Sequence, residues 1–94
     1  MARYIRVSPD HIPLGQTALL LFVHQNELCA GALEHRADGR LDRRVPEDPS
    51  PHDLVLGICR LMADLPDDAD LLVVMEPLAY WPASFPKLHQ KANR

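Results

Sequence analysis

Two short runs decide most of what this chain can fold into. Thr17-Ala-Leu-Leu-Leu-Phe-Val-His24 and Asp70-Leu-Leu-Val-Val-Met75 are apolar at odd and even positions alike. Successive side chains of a strand point to opposite faces, so each run predicts a central strand of a sheet covered on both sides. Periodicity alone also admits a buried helix, but the shortness of the first run and the polar Gln25-Asn26 behind it favour a strand. With 94 residues the chain has room for one domain around such a sheet. Its 47% hydrophobic and 24% charged residues are ordinary globular usage and exclude a disordered or collagen-like chain.

The neighbouring segments supply the rest of the expected fold. Gln25-Asn26 reads as a two-residue turn, after which Glu27 to Glu34 returns as a second strand. Ala37-Asp38-Gly39 is a clearer turn, leading into Arg40 to Val45, where Leu41 and Val45 mark one face and charges fill the rest, as on an edge strand. Ser50 as N-cap, Pro51 at the first helical position and Asp53 at the third predict a helix over 51–65. Its apolar stripe comprises Leu54, Val55, Ile58, Cys59, Leu61, Met62 and Leu65; Pro66 ends it, and Gly57 marks a close backbone approach. Residues 1–16 read as an N-terminal arm broken by Pro9 and Pro13, with Tyr4 to Val7 a candidate fifth strand. Residues 17–81 form a single α+β domain, and 82–94 a proline-containing polar tail.

A strand reached through a crossover helix lies parallel to its neighbour, with a right-handed connection. Counting from Thr17–His24 as strand 1, the expectation is a mixed sheet of four strands, or five, in the order 3-2-1-4, with one principal helix on one face. From Thr17 to Trp81 this order of elements resembles the N-terminal half of the ribonuclease H fold. The resemblance implies a carboxylate cluster from the first strand, the helix start and the end of the last strand, holding two divalent cations ~4 Å apart. Asp53 and Glu76 match the second and third of these positions. The first falls in Phe22-Val23-His24, which has no acid and leaves only His24, a poor ligand for magnesium. The glycine-bearing loop of the family is also reduced to a tight turn, and both departures argue against nuclease chemistry. HicB-type antitoxins carry a similar partial fold; their Gly-Asp-Thr entry to the helix is Asp48-Pro49-Ser50 here.

Ten Lys+Arg against 13 Asp+Glu give a net charge of −3, so no global field draws the chain to nucleic acid or anionic lipid. The longest apolar run, Ala18 to Val23, is far below the ~20 residues of a membrane helix, and no secretory signal pattern opens the chain. Cys29 and Cys59 sit in apolar patterns as free thiols, which points to a reducing, cytoplasmic setting; a bridge between them needs strand and helix to meet at disulfide spacing. No His or Cys spacing suited to zinc, no phosphate-binding glycine loop and no nucleophile elbow is present, and no cofactor is expected.

Each candidate residue has a bland reading. Asp53 reads as a capping residue, Glu76 as a solvated strand end and His24 as a structural histidine. Asp64, Asp67, Asp68 and Asp70 form an acidic patch at the end of the helix, where the dipole disfavours negative charge, leaving room for a basic partner. Tyr80, Trp81 and Phe85 are either a lid folded back on the sheet or anchors for a partner. Two functions follow: a non-enzymatic interaction module acting as a small inhibitor, antitoxin or adaptor, or a degenerate nuclease-like protein using Asp53 and Glu76. Small inhibitors encoded by phages or mobile elements, anti-CRISPR proteins among them, share this size and this lack of motifs. Finally, one helix covers one sheet face. Burial of the other calls for the aromatic segment, a homodimer or a protein partner on the helix-free face.

Overall fold

Gln25 and Asn26 both adopt left-handed backbone, with φ of 52° and 63°, and turn the chain back on itself in two residues. The computed structural model describes residues 3–66 and 69–90, so Asp67, Asp68 and residues 91–94 lie outside the described residues. In chain order the elements are β1 (Tyr4–Arg6), a 3-10 turn (Pro9–His11), β2 (Thr17–His24), β3 (Glu27–His35), β4 (Leu41–Arg44), α1 (His52–Ala63), β5 (Leu71–Met75) and β6 (Leu88–Gln90). Among the described residues the fold is α+β, with one α-helix and one mixed sheet. The Gln25-Asn26 turn pairs β2 with β3 antiparallel from His24↔Glu27 to Thr17↔Glu34. β4 follows antiparallel on the outer edge of β3. The crossover through α1 delivers β5 parallel to β2, with Leu19 opposite Val73.

The sheet has six strands in the order β4-β3-β2-β5-β1-β6, which differs from the four-stranded order expected. The segments read as arm and tail each add a strand beyond β5: β1 pairs parallel with β5, and β6 parallel with β1. The physical reason lies in β5. Apolar on both faces and paired with β2 on one edge, it has a second edge whose backbone groups need partners, and Tyr4–Arg6 supplies them. A strand of three residues is too short to show a period of two; β1 falls within the candidate fifth strand at Tyr4 to Val7, whereas β6 lies in the segment read as a polar tail.

Two apolar layers sandwich the sheet. On the helix side, Leu19, Leu21, Leu28, Ala30, Leu71 and Val73 lie beneath Leu54, Ile58, Leu61, Met62 and Leu65 of the helix and its end. The stripe is narrower than expected: Val55 and Cys59 face solvent, because a helix on a sheet buries only the arc centred on Leu54, Ile58, Leu61 and Leu65. The regular helix begins at His52, and Pro51 before it already has helical backbone, with φ of −61° and ψ of −22°. α1 lies over β2 and β3, so the β5-β1 half of the same face needs its own cover. Trp81 and Phe85 provide it, with the Trp81 ring 5.3 Å from those of both Tyr4 and Phe85.

The aromatics are therefore a lid, but on the helix side and not on the helix-free face. That second face holds Ala18, Leu20, Phe22, Cys29, Leu33 and Val74, all buried, together with Val7 and Ile12. The chain covers much of it with its own residues 8–16. His35 fastens this segment: its Nδ1 bonds the Ile12 carbonyl at 2.5 Å, its backbone carbonyl accepts from Gly15 N–H at 2.6 Å, and its N–H donates to Gln16 at 3.0 Å. Face counting overestimates the bare area because it treats residues 1–16 as a separate arm. Leu41 and Val45 of the β4 edge and Leu14 of the covering segment remain exposed there. Among the described residues, no helix is long and apolar enough to cross a membrane.

Candidate functional site

The three residues aligned with the nuclease positions do not converge. In the first turn of α1, the Asp53 carboxylate accepts the Ser50 N–H at 2.8 Å, the reciprocal half of a capping box. Glu76, just past β5, is held on the other face of the sheet. Arg43 donates to it from Nε and Nη2 at 2.9 and 3.0 Å, and the same guanidinium lies 5.3 Å from the Phe22 ring centroid. The carboxylate raises the Arg43 pKa, chiefly through this hydrogen bonding. His24, half-buried at the end of β2, shares the parity of Phe22 and so the helix-free side. The sheet thus stands between Asp53 and Glu76. Among the described residues no three His, Cys, Asp or Glu side chains are grouped as metal ligands would be.

The residues of the acidic patch have separate settings. Asp64 is exposed at the C-cap of α1. Asp70 is engaged by Arg3, whose Nε and Nη2 lie 3.3 and 3.2 Å from its two oxygens; the hydrogen bond from Arg3 holds the Asp70 carboxyl below its ordinary range. Asp67 and Asp68 lie outside the described residues. An open cleft of about 720 Å³ at this end of the sheet is lined by Ile5, Leu61, Leu65 and Leu72, with Asp64 and Asp70 also at its walls.

The cysteines are both free. Cys29 is buried in the helix-free layer and Cys59 is exposed on the helix, so the sheet separates them. Burial, helped by Glu27 and Asp53, pushes the Cys29 thiol up.

Of the three candidate aromatics only Tyr80 is presented to solvent, at 57% exposure. Trp81 is tied inward, its indole N–H donating to the Pro86 carbonyl at 2.7 Å. The residue that stands out beside Tyr80 is Leu78. It is 86% exposed and has a φ of 76°, in a turn closed by the Ala79 N–H on the Glu76 carbonyl at 3.0 Å. A turn with proline second and positive φ third normally places glycine there. Left-handed backbone costs a residue with a Cβ about 1–2 kcal/mol. Leu78 therefore combines a strained backbone with a large apolar side chain lifted into water. The sequence carried a trace of it: Pro77 opens a turn with no glycine after it.

No protein-family model, curated protein or solved structure matches this chain.

Proposed function

We propose that this protein is an interaction module that engages a protein partner through the turn after β5, with Leu78 and Tyr80 as its anchors. Leu78 carries the reading. Backbone strain of this kind persists only where the surroundings hold it, and it concentrates at binding and switch sites. The side chain it displays has no counterpart in the chain's own core, being 86% exposed, and exposed Tyr80 adds a ring that interfaces favour. The turn also joins two fixed points, since Glu76 is held by Arg43 and Ala79 packs in the helix-side core. A rigid base of this kind lowers the ordering cost of binding. Inhibitors, antitoxins and adaptors are the classes to which a module of this design belongs.

The test uses the tagged chain to capture partners from its native host, followed by calorimetry with the purified partner. The expected result is that Leu78→Gly and Tyr80→Ser each weaken binding by about tenfold or more while circular dichroism is unchanged. Equal affinity of wild type and Leu78→Gly for every captured protein would overturn the reading.

A further inference from the structure

The outward face of α1 is apolar where a lone surface helix is normally charged. Val55 is 60% exposed and Leu56 51%, and Cys59 and Ala63 are exposed beside them. At about 100° per residue, His52, Leu56, Cys59 and Ala63 fall on one narrow stripe directly opposite the buried arc. Their spacing of four, three and four residues is that of a seam between two packed helices. On one flank of the seam stands Val55, with half-buried Met62 seven residues on; on the other stand Asp53 and Arg60, also seven apart.

We propose that this stripe docks a second copy of the chain, α1 against α1, antiparallel about a two-fold axis. The sequence of the helix is self-complementary in that arrangement alone. Leu56 of each copy meets the smaller Cys59 of the other, and His52 meets Ala63, so large side chains face small ones in every layer. On the flanks Val55 packs against Met62, and Arg60 faces Asp53, giving two opposite-charge pairs in place of like-charge contacts. A parallel pairing stacks Leu56 on Leu56 and Cys59 on Cys59, and turns the charged Asp53 and Arg60 flank of each copy against the apolar Val55 and Met62 flank of the other. The antiparallel form also places the positive end of each helix dipole beside the negative end of the other, where Asp64 adds an unfavourable charge of its own. The contact extends over about 18 Å of helix, short of the ~800 Å² a side of a standard interface, so the dimer is weak and forms by mass action. It uses neither Leu78 nor Tyr80 and stands apart from the partner site proposed above.

Sedimentation velocity from low micromolar to millimolar protein, with a short bis-maleimide linking Cys59 to Cys59, tests it. The expected result is concentration-dependent dimerisation and linking in the wild type. Leu56→Glu and Ala63→Glu, both at exposed positions, should abolish the two signals and keep the circular dichroism of the fold. Cys59→Ala combined with Glu47→Cys places the thiol away from the stripe and should not link above background. A wild type that stays monomeric throughout, dimers that persist in both charged variants, or equal linking through position 47 would each overturn the proposal.

Discussion

Arg43 and Glu76 join the edge strand β4 to the end of β5 across the two strands between them, guanidinium to carboxylate at 2.9 and 3.0 Å, above the ring of Phe22. The pair is partly solvated, with side chains 45% and 35% exposed, so its ionic component contributes no more than about 1 kcal/mol. The cover that Arg43 gives Phe22 is a separate contribution through cation–π contact and its aliphatic stem. Glu76→Gln is therefore expected to cost less than about 1 kcal/mol and Arg43→Ala roughly 1–2 kcal/mol. Urea unfolding measures both. A Glu76→Gln loss as large as that of Arg43→Ala would show that charge, and not cover, dominates.

Two glycines predict opposite signs. A Cβ on Gly31 would stand 2.5 Å from the Arg44 carbonyl and 2.9 Å from Val45, where β4 crosses β3 with no space to yield. Gly31→Ala must push the edge strand away, at about 1–3 kcal/mol. A Cβ on Gly57 meets only ordinary contacts, Leu19 at 3.5 Å and Ala30 at 3.7 Å. Gly57→Ala is expected to stabilise by about 0.5–1 kcal/mol through helix propensity. Thermal or urea unfolding decides, and a loss at position 57 would mean that α1 packs more closely than its contacts indicate.

What the sequence displayed was set by length and period. β2, β3, β5 and α1 are long enough for alternation, or its absence, to be visible, and the Asn26 and Gly39 turns have residues suited to positive φ. β1 was visible only as a candidate strand at Tyr4 to Val7 and β6 was hidden, because three residues carry no period; β1 takes its place from the open edge of β5, and β6 from that of β1. Gly57 suggested a close approach that has room for a methyl group, while Gly31, which does mark one, lies in a strand pattern that offered no contrast. For the candidate site, Tyr80 was legible by type. Leu78 was not, because exposure of a leucine arises from backbone geometry that a leucine does not advertise.

The thiols predict a two-speed reaction and an alkaline limb of stability. Exposed Cys59 should react with a disulfide reagent at the rate of a free thiol, and buried Cys29 only on opening or unfolding. Burial raises the Cys29 pKa above that of the unfolded chain. Above the unfolded thiol pKa, about 8.5, the native state keeps a proton that the unfolded state has lost, so stability is full below that pH and falls as pH rises past it. Cys29→Ala removes this contribution to the slope. Urea midpoints between neutral and alkaline pH that decline equally in both proteins would rule it out.

Leu78→Gly separates folding from binding. Glycine adopts a φ of 76° without the Cβ penalty, so the substitution relieves the turn, and the side chain removed buries nothing in the core. Glycine's greater freedom in the unfolded chain offsets part of that gain. The expected net effect is a stabilisation of up to about 1 kcal/mol, read as a higher urea midpoint with an unchanged m-value. Leu78→Ala keeps the Cβ and hence the strain, and should leave stability near that of the wild type. A residue that weakens the fold where it stands and packs against none of the core is explained by a contact outside the chain. If Leu78→Gly instead destabilises the protein, the leucine is holding the turn, and the case for it as a binding anchor falls with that measurement.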